Sequence, residues 1–358
     1  MRFLLGLVLL LTAGNGLAAT TEVRSQIGPV MNPPLALGKE LYLLATTGVL
    51  YQTDPLLTKT KVLFQTKINS ICPLTLKDSV LYFGEGLHDD VKTEFYAYDL
   101  KEQKLKFRLP QDGHIERAPL ITSETIFVGL GPGGITAIDL KTSKTIWTQK
   151  KIDEGELHVD STPIAYKNMI CFASVYTFKG VVCLNEKSGE KIFAIPLDKN
   201  PKSEIRLSGH LLVGESTEAT IVDNNWKTPS NLYVVDLEKK QTTIDVKLRG
   251  YNFFAPTLTS AQEVFLGLST GDMIVVNLNS GAITFVAEMK APIASTPFIK
   301  HGFYCAISID GKLRCFQRAK DEFKLAEEQD LQEIITGVVS SINGNFYLPT
   351  RTGHRLLQ

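Results

Sequence analysis

Two short motifs combine side chains able to bind a cation or move a proton: His114-Ile115-Glu116 and His158-Val159-Asp160. Each begins five residues before a proline, Pro119 and Pro163, that leads an apolar, β-rich run. In extended chain, alternate side chains share one side, so the histidine and the acid of each motif would point the same way. Two imidazoles and two carboxylates from neighbouring segments make a donor set for a divalent metal such as zinc. The same residues also suit a solvated polar loop or hydrogen bonding at strand edges.

Five cysteines are the next reactive groups. Cys171 and Cys305 each stand eight residues after the proline that leads their segment, and Cys183 and Cys315 fall on the strand that follows. That placement allows adjacent-strand disulfides, Cys171 with Cys183 and Cys305 with Cys315, and equally allows burial as small apolar thiols. Cys72 is left over, and its place beside Pro73 points to burial rather than reactivity. None of the five stands in a Cys-x-x-Cys or Cys/His zinc pattern, and no nucleophile-elbow, metalloprotease or phosphate-loop motif occurs. With Lys+Arg 38 against Asp+Glu 38, no global field favours nucleic acid or an anionic membrane surface.

The elements that must carry these residues repeat along the chain. Pro34, Pro73, Pro119, Pro163, Gly209, Pro256 and Pro297 lead similar units, and a shortened eighth copy runs from Val338 to Leu348. Each unit reads as four antiparallel strands, because β-branched and aromatic residues dominate and no long 3.6-residue period appears. Leu325 to Ile335 is the one stretch that suits a short helix. Within the units, Asp99, Asp139, Asn185, Asp236 and Asn277 are each followed eight residues later by a large apolar residue: Phe107, Trp147, Phe193, Ile244 and Phe285. An Asp or Asn side chain caps a turn by accepting backbone N–H groups, and the bulky residue on the outer strand is expected to wedge between neighbouring units. Gly189 and Gly281 are expected to supply positive φ in that turn.

The last copy stops after its third strand at Arg351 to Leu357, while Thr20 to Ile27 has no partner of its own. Joined, the two ends complete one sheet and remove open edges. Arg2, the apolar run from Phe3 to Leu11 and the small residues reaching Ala18 read as an export signal. Residues 1–18 are therefore expected to be removed, without a cysteine at the cleavage point to carry lipid. Residues 19–358 are expected to form one soluble domain, periplasmic or secreted, since no later segment approaches the ~18 apolar residues of a membrane helix.

Gly134-Ile135-Thr136-Ala137-Ile138-Asp139 through Trp147 resembles the PQQ-like propeller repeat, with its glycine turn, Ala-x-Asp strand end and tryptophan docking residue. The resemblance covers the mature chain and implies an all-β, eight-bladed β-propeller, with seven blades as the alternative. Within that family, size and blade number are similar to the propeller subunit of the outer-membrane β-barrel assembly machinery, a non-catalytic scaffold that is normally lipid-anchored. The resemblance thus implies an exported scaffold with a protein partner in the cell envelope, no enzyme activity and no cofactor. The family also contains quinoprotein dehydrogenases, whose vicinal cysteines and tryptophan floor have no match here: no two cysteines adjoin, Trp147 is used for docking, and Trp226 alone remains. Alternatives are a ligand- or metal-binding sensor using His114, Glu116, His158 and Asp160, or a degenerate quinoprotein.

Strand alternation sends second-to-third-strand loops and blade-to-blade connections to one face. The long insertions fall there: Gly86 to Lys92, Lys151 to Asp160, Asp198 to Arg206, Asn224 to Pro229 and Arg249 to Phe254. That asymmetry marks a binding face. Trp226, Tyr251, Phe253 and Phe254 are its candidate anchors, with Arg206 and Arg249 as charged neighbours. Phe253 and Phe254 directly precede an inner strand, so at least one of them is expected to pack in the core.

Overall fold

The Asp/Asn turns explain how each sheet is made. In the computed structural model, which describes residues 23–357 apart from 25–26, 202–203, 219, 223–224, 261 and 321, one side-chain oxygen in each turn accepts two backbone N–H groups. Asp99 takes those of Lys101 and Glu102, Asp139 those of Lys141 and Thr142, and Asn185 those of Lys187 and Ser188. Asp236 and Asn277 do the same with Glu238 and Lys239, and with Asn279 and Ser280. Gly189 and Gly281 each hold φ of 72° in these turns, a value that costs a side-chain-bearing residue energy. The expected signal segment lies outside the described residues.

Eight antiparallel sheets follow one another around the ring. Blade one is Leu35–Leu37, Glu40–Leu44, Val49–Thr53 and Thr60–Gln65; blade two is Thr75–Lys77, Val80–Gly84, Thr93–Asp99 and Lys104–Gln111. Blade three is Leu120–Ile121, Thr125–Gly129, Ile135–Asp139 and Thr145–Gln149; blade four is Ile164–Tyr166, Met169–Ser174, Gly180–Asn185 and Lys191–Pro196. Blade five is Arg206–Ser208, Leu211–Thr217, Ser230–Asp236 and Gln241–Leu248; blade six is Thr257–Ser260, Glu263–Gly267, Asp272–Asn277 and Ile283–Glu288. Blade seven is Phe298–Lys300, Phe303–Ile307, Lys312–Ala319 and Glu322–Asp330. Blade eight takes Ser340–Ile342, Asn345–Pro349 and His354–Leu357 from the end of the chain and Val23–Arg24 from its start, with Val23 opposite Leu356 and Arg24 opposite Arg355. The architecture is an eight-bladed, all-β propeller, with no helix among the described residues.

Three expectations need correction. Leu325 to Ile335 forms no helix: its first part is the outer strand of blade seven, in register from Lys312↔Asp330 to Ala319↔Glu322. Cross-strand pairing there outweighs the helix preference of Ala326-Glu327-Glu328. Gly209 does not lead blade five; the inner strand is Arg206–Ser208, and Gly209 occupies the turn after it with φ 62°. Phe285 does not wedge between blades. In blades two to five the docking residue faces the position two before the Asp or Asn, as in Ala97↔Phe107 and Ala137↔Trp147, with a β-bulge immediately after. In blade six the bulge lies between Met273 and Ile274, so Phe285 pairs with Ile274 and is 52% exposed. A one-residue slip turns a strand's side chains to the opposite face.

The core lies between blades. Phe127 and Ala137 of blade three meet Ile170 and Phe172 of blade four; Val213 and Val234 of blade five meet Val264 and Val276 of blade six. Leu41 and Leu57 of blade one meet Tyr347 and Leu356 of blade eight. Trp147 bridges blades three and four: its Nε1 donates to the Glu186 carbonyl at 3.2 Å, and its ring covers Gly189 so closely that a Cβ there would lie 2.6 Å from Cδ2. Ring closure is fastened by Tyr347, whose hydroxyl donates to the Pro55 carbonyl at 2.9 Å, and by His354, whose Nε2 donates to the Asn32 carbonyl at 3.0 Å.

Trp147→Ala is expected to lower the unfolding free energy by about 2–3 kcal/mol, below the cost of a fully buried tryptophan because the ring is half-buried; urea denaturation measures it. His354 is 1% exposed, and burial holds its pKa down at about 4, against the opposing effect of the Asn32 carbonyl. An unfolded histidine titrates near 6.5, so below that pH the unfolded chain takes up a proton that the folded chain refuses. Stability should fall as pH drops from about 6.5 toward 4, by at most ~3 kcal/mol from this group. Urea midpoints at pH 7 and pH 4.5 should therefore diverge more in the wild type than in His354→Gln; equal losses would remove His354 as the source.

Candidate functional site

The connection entering each inner strand does two jobs through alternation. In His114-Ile115-Glu116 and His158-Val159-Asp160 the middle residue is buried, Ile115 at 0% and Val159 at 2% exposure. Each packs over a glycine that ends a second strand: a Cβ on Gly84 would meet Ile115 at 2.3 Å, and one on Gly129 would meet the Val159 Cγ1 at 3.0 Å. With the middle residue fixed inward, the flanking side chains are turned to the loop-bearing face. Val159 and Gly131 also exchange backbone hydrogen bonds of 2.9 and 3.2 Å, which sets the height of His158 and Asp160.

His114, His158 and Asp160 come together, and a residue not anticipated from the repeat, His88, joins them. His114 Nε2 donates to Asp160 Oδ1 at 2.9 Å, while His158 Nε2 lies 3.0 Å from Asp160 Oδ2 but off the hydrogen-bonding direction. The three imidazole rings are mutually 5.3–5.9 Å apart, and Tyr176 stands edge-on to His158 at 4.8 Å. Gly131 makes room for the buried His114: a Cβ there would lie 2.2 Å from Nε2. Glu116 is not part of this group and acts on His114 only as a nearby charge. Burial disfavours the charged form of His114, yet the hydrogen bond and charge of Asp160, with Glu116 and Asp90, raise its pKa. Burial pushes the Asp160 carboxyl up, but its contacts with His114 and His158 prevail and hold it well below the usual carboxylate range. His88 lies in the second-to-third-strand loop of blade two, and Tyr176 in that of blade four, so both arrive from segments without a fixed register.

On the same face, the connection between blades five and six carries the aromatic candidates. Tyr251 and Phe253 meet edge-on at 4.7 Å, and Phe253 is 41% exposed. Between them Asn252 is buried and its N–H donates to both oxygens of Glu215 at 2.8 and 2.9 Å. Burial drives the Glu215 pKa well up despite that bond. Tyr251 and Ser269 tie the connection back to blade six, since the Ser269 N–H donates to the Tyr251 carbonyl at 2.8 Å. The pair is thus held out on a fixed backbone.

Phe254 lies apart from that pair, half-buried in the mouth of the central channel with Arg206 and Glu204. Segments leading into blades one to six and eight line this cavity of about 240 Å³, below the ~300–1,000 Å³ of pockets for drug-sized ligands. Arg206 faces Glu204 at 3.8 Å, and Arg249 faces Asp272 at 3.4 Å with most of its side chain in solvent. Trp226 is in the strand Asn225–Lys227 of a hairpin that extends blade five; its side chain lies outside the described residues.

The cysteines form Cys171–Cys183 and Cys305–Cys315 disulfides, each pair directly opposite on the second and third strands of one blade with Cα atoms 4.1 Å apart. Cys72 is a free, fully buried thiol whose pKa burial pushes up to about 12.

Comparison with known proteins agrees with this architecture. A family model described as outer membrane protein assembly factor BamB matches residues 108–243. The crystal structure of BamB from Moraxella catarrhalis superposes with a TM-score of 0.71 at 14% identity, over 95% of this chain and 97% of that one. The computationally designed Ika8 protein gives 0.70 at 12% identity, over 94% and 97%. No curated protein sequence matches. The chain has the fold of a PQQ-like repeat β-propeller.

Native protein exposed to iodoacetamide without reductant is expected to gain no label. Unfolding in denaturant should release one site, Cys72, and reduction as well should bring the total to five, read as mass increments on the intact chain.

Proposed function

We propose that this chain is an extracytoplasmic, non-catalytic scaffold that presents its loop-rich face to a protein partner in the cell envelope, in the assembly of outer-membrane proteins. The observation that carries the reading is the Tyr251–Phe253 pair: two rings at 4.7 Å, one of them 41% exposed, on a connection clamped by the buried Glu215. An exposed aromatic held without conformational freedom loses little entropy on binding, which is what a hot-spot residue requires. The family model for an assembly factor and the likeness to BamB support the choice of process. The N-terminal signal motif supports a location outside the cytoplasm, periplasmic or secreted. No reaction and no cofactor belong to this reading, and the propeller acts as a monomer that brings a partner to a fixed surface.

A photo-crosslinking residue at position 253 is expected to capture one envelope protein in cells, whereas one at Lys141, in a turn on the opposite face, captures none. Phe253→Ala should weaken binding of the captured protein about tenfold or more, measured with purified components. Equal capture from both faces, or unchanged affinity in the variant, would overturn the assignment of this face.

A further inference from the structure

We infer that His88, His114, His158 and Asp160 bind a divalent transition metal, with zinc as the ion that best suits the donors. Each residue offers one ligand atom, and the four atoms lie within 4.8 Å of one another. Three imidazole nitrogens and one carboxylate oxygen form a borderline-soft set that favours zinc, copper or nickel over calcium or magnesium, which prefer oxygen. The site does not depend on the scaffold reading, because it stands on different blades from the aromatic pair.

Two further observations point to an ion rather than to a polar loop. His158 Nε2 is buried and, although 3.0 Å from Asp160 Oδ2, makes no directed hydrogen bond to it, and a buried polar atom left in that state is costly unless something else engages it. In addition, Asp160 faces two imidazoles at once, at 2.9 and 3.0 Å, so three of the four donor groups already converge. Gly131 supports this arrangement by leaving the volume that the His114 ring fills.

A tetrahedral zinc bound at about 2.0–2.1 Å needs donor atoms roughly 3.3 Å apart. His114 and His158 each lie close to that distance from Asp160, at 2.9 and 3.0 Å, held by connections whose middle residues are buried. His88 is exposed and sits on the loop between the second and third strands of blade two. It is the ligand that completes the set by a small inward shift. The ion would then join that loop to the connections between blades two and three and between blades three and four, restraining three segments of the loop-rich face.

The test uses tag-free mature protein, stripped with chelator and titrated with zinc chloride alone. One zinc per chain is expected, with a dissociation constant in the micromolar range or below by calorimetry. Cobalt in its place should give the intense visible absorption of a tetrahedral site. His88→Ala removes an exposed ligand without disturbing the core and is expected to weaken zinc binding at least tenfold. Asp160→Asn should weaken it as well, with folding verified by circular dichroism. Absence of stoichiometric zinc in the wild type, or equal affinity in folded His88→Ala, would overturn the site.

Discussion

Each blade is a small twisted sheet with apolar side chains on both faces, so every blade needs a neighbour on each side. Water would otherwise meet Phe127 and Ala137 on one sheet, or Val264 and Val276 on another. A closed ring satisfies this demand with no bare end, and the burial of apolar area between sheets is the dominant favourable contribution. Ring geometry then fixes what else can vary. Outer strands must be anchored by something large, as Trp147 is over Gly189. Inner strands must be entered by connections that dip between the blades.

Those connections link packing to the surface. Ile115 and Val159 are held over glycines, and the same backbone turns His114, His158 and Asp160 toward one point. Between blades five and six, the buried Asn252–Glu215 contact likewise fixes the height of Tyr251 and Phe253. Neither surface group needs a mobile loop to position most of its members. The two disulfides add rigidity inside blades four and seven but join no blade to the next, so cohesion of the ring remains a matter of apolar contact and a few hydrogen bonds.

Much of this was legible because it recurs. The Asp or Asn turn, followed by a bulky residue, depends on local hydrogen bonding that each repeat must solve afresh, and all five turns are capped alike. Prolines stand directly before the inner strands of five blades, and two residues before that of blade two, for the same reason. The failures occurred where local signals compete with pairing. Ala326-Glu327-Glu328 favours a helix in isolation but lies against Lys312–Ala319 as a strand. Phe285 kept its spacing in sequence, but the bulge had moved. His88 was hidden because it sits in a second-to-third-strand loop whose length differs from blade to blade, so the repeat assigns it no register. Glu116, though it repeats the position of Asp160, is outside the cluster. Register therefore placed three of the four convergent side chains, and only three dimensions supplied the fourth.

Blade eight has a further consequence for how the chain reaches its native state. Within the other blades, strands pair with close sequence neighbours, so each can form soon after it is synthesised. The contacts that shut the ring join residues 292 and 322 positions apart. Bringing such distant points together costs about 5 kcal/mol of chain entropy by the logarithmic law, plus a constant, and high contact order slows folding. The first strand made is thus the last one used. Until the final segment arrives, the apolar flank of blade one stays uncovered, a state prone to aggregation. Ring closure, and the proteolytic resistance that depends on it, should consequently be gained in one late step, and a chain truncated only at its end would lose the cohesion of the whole ring.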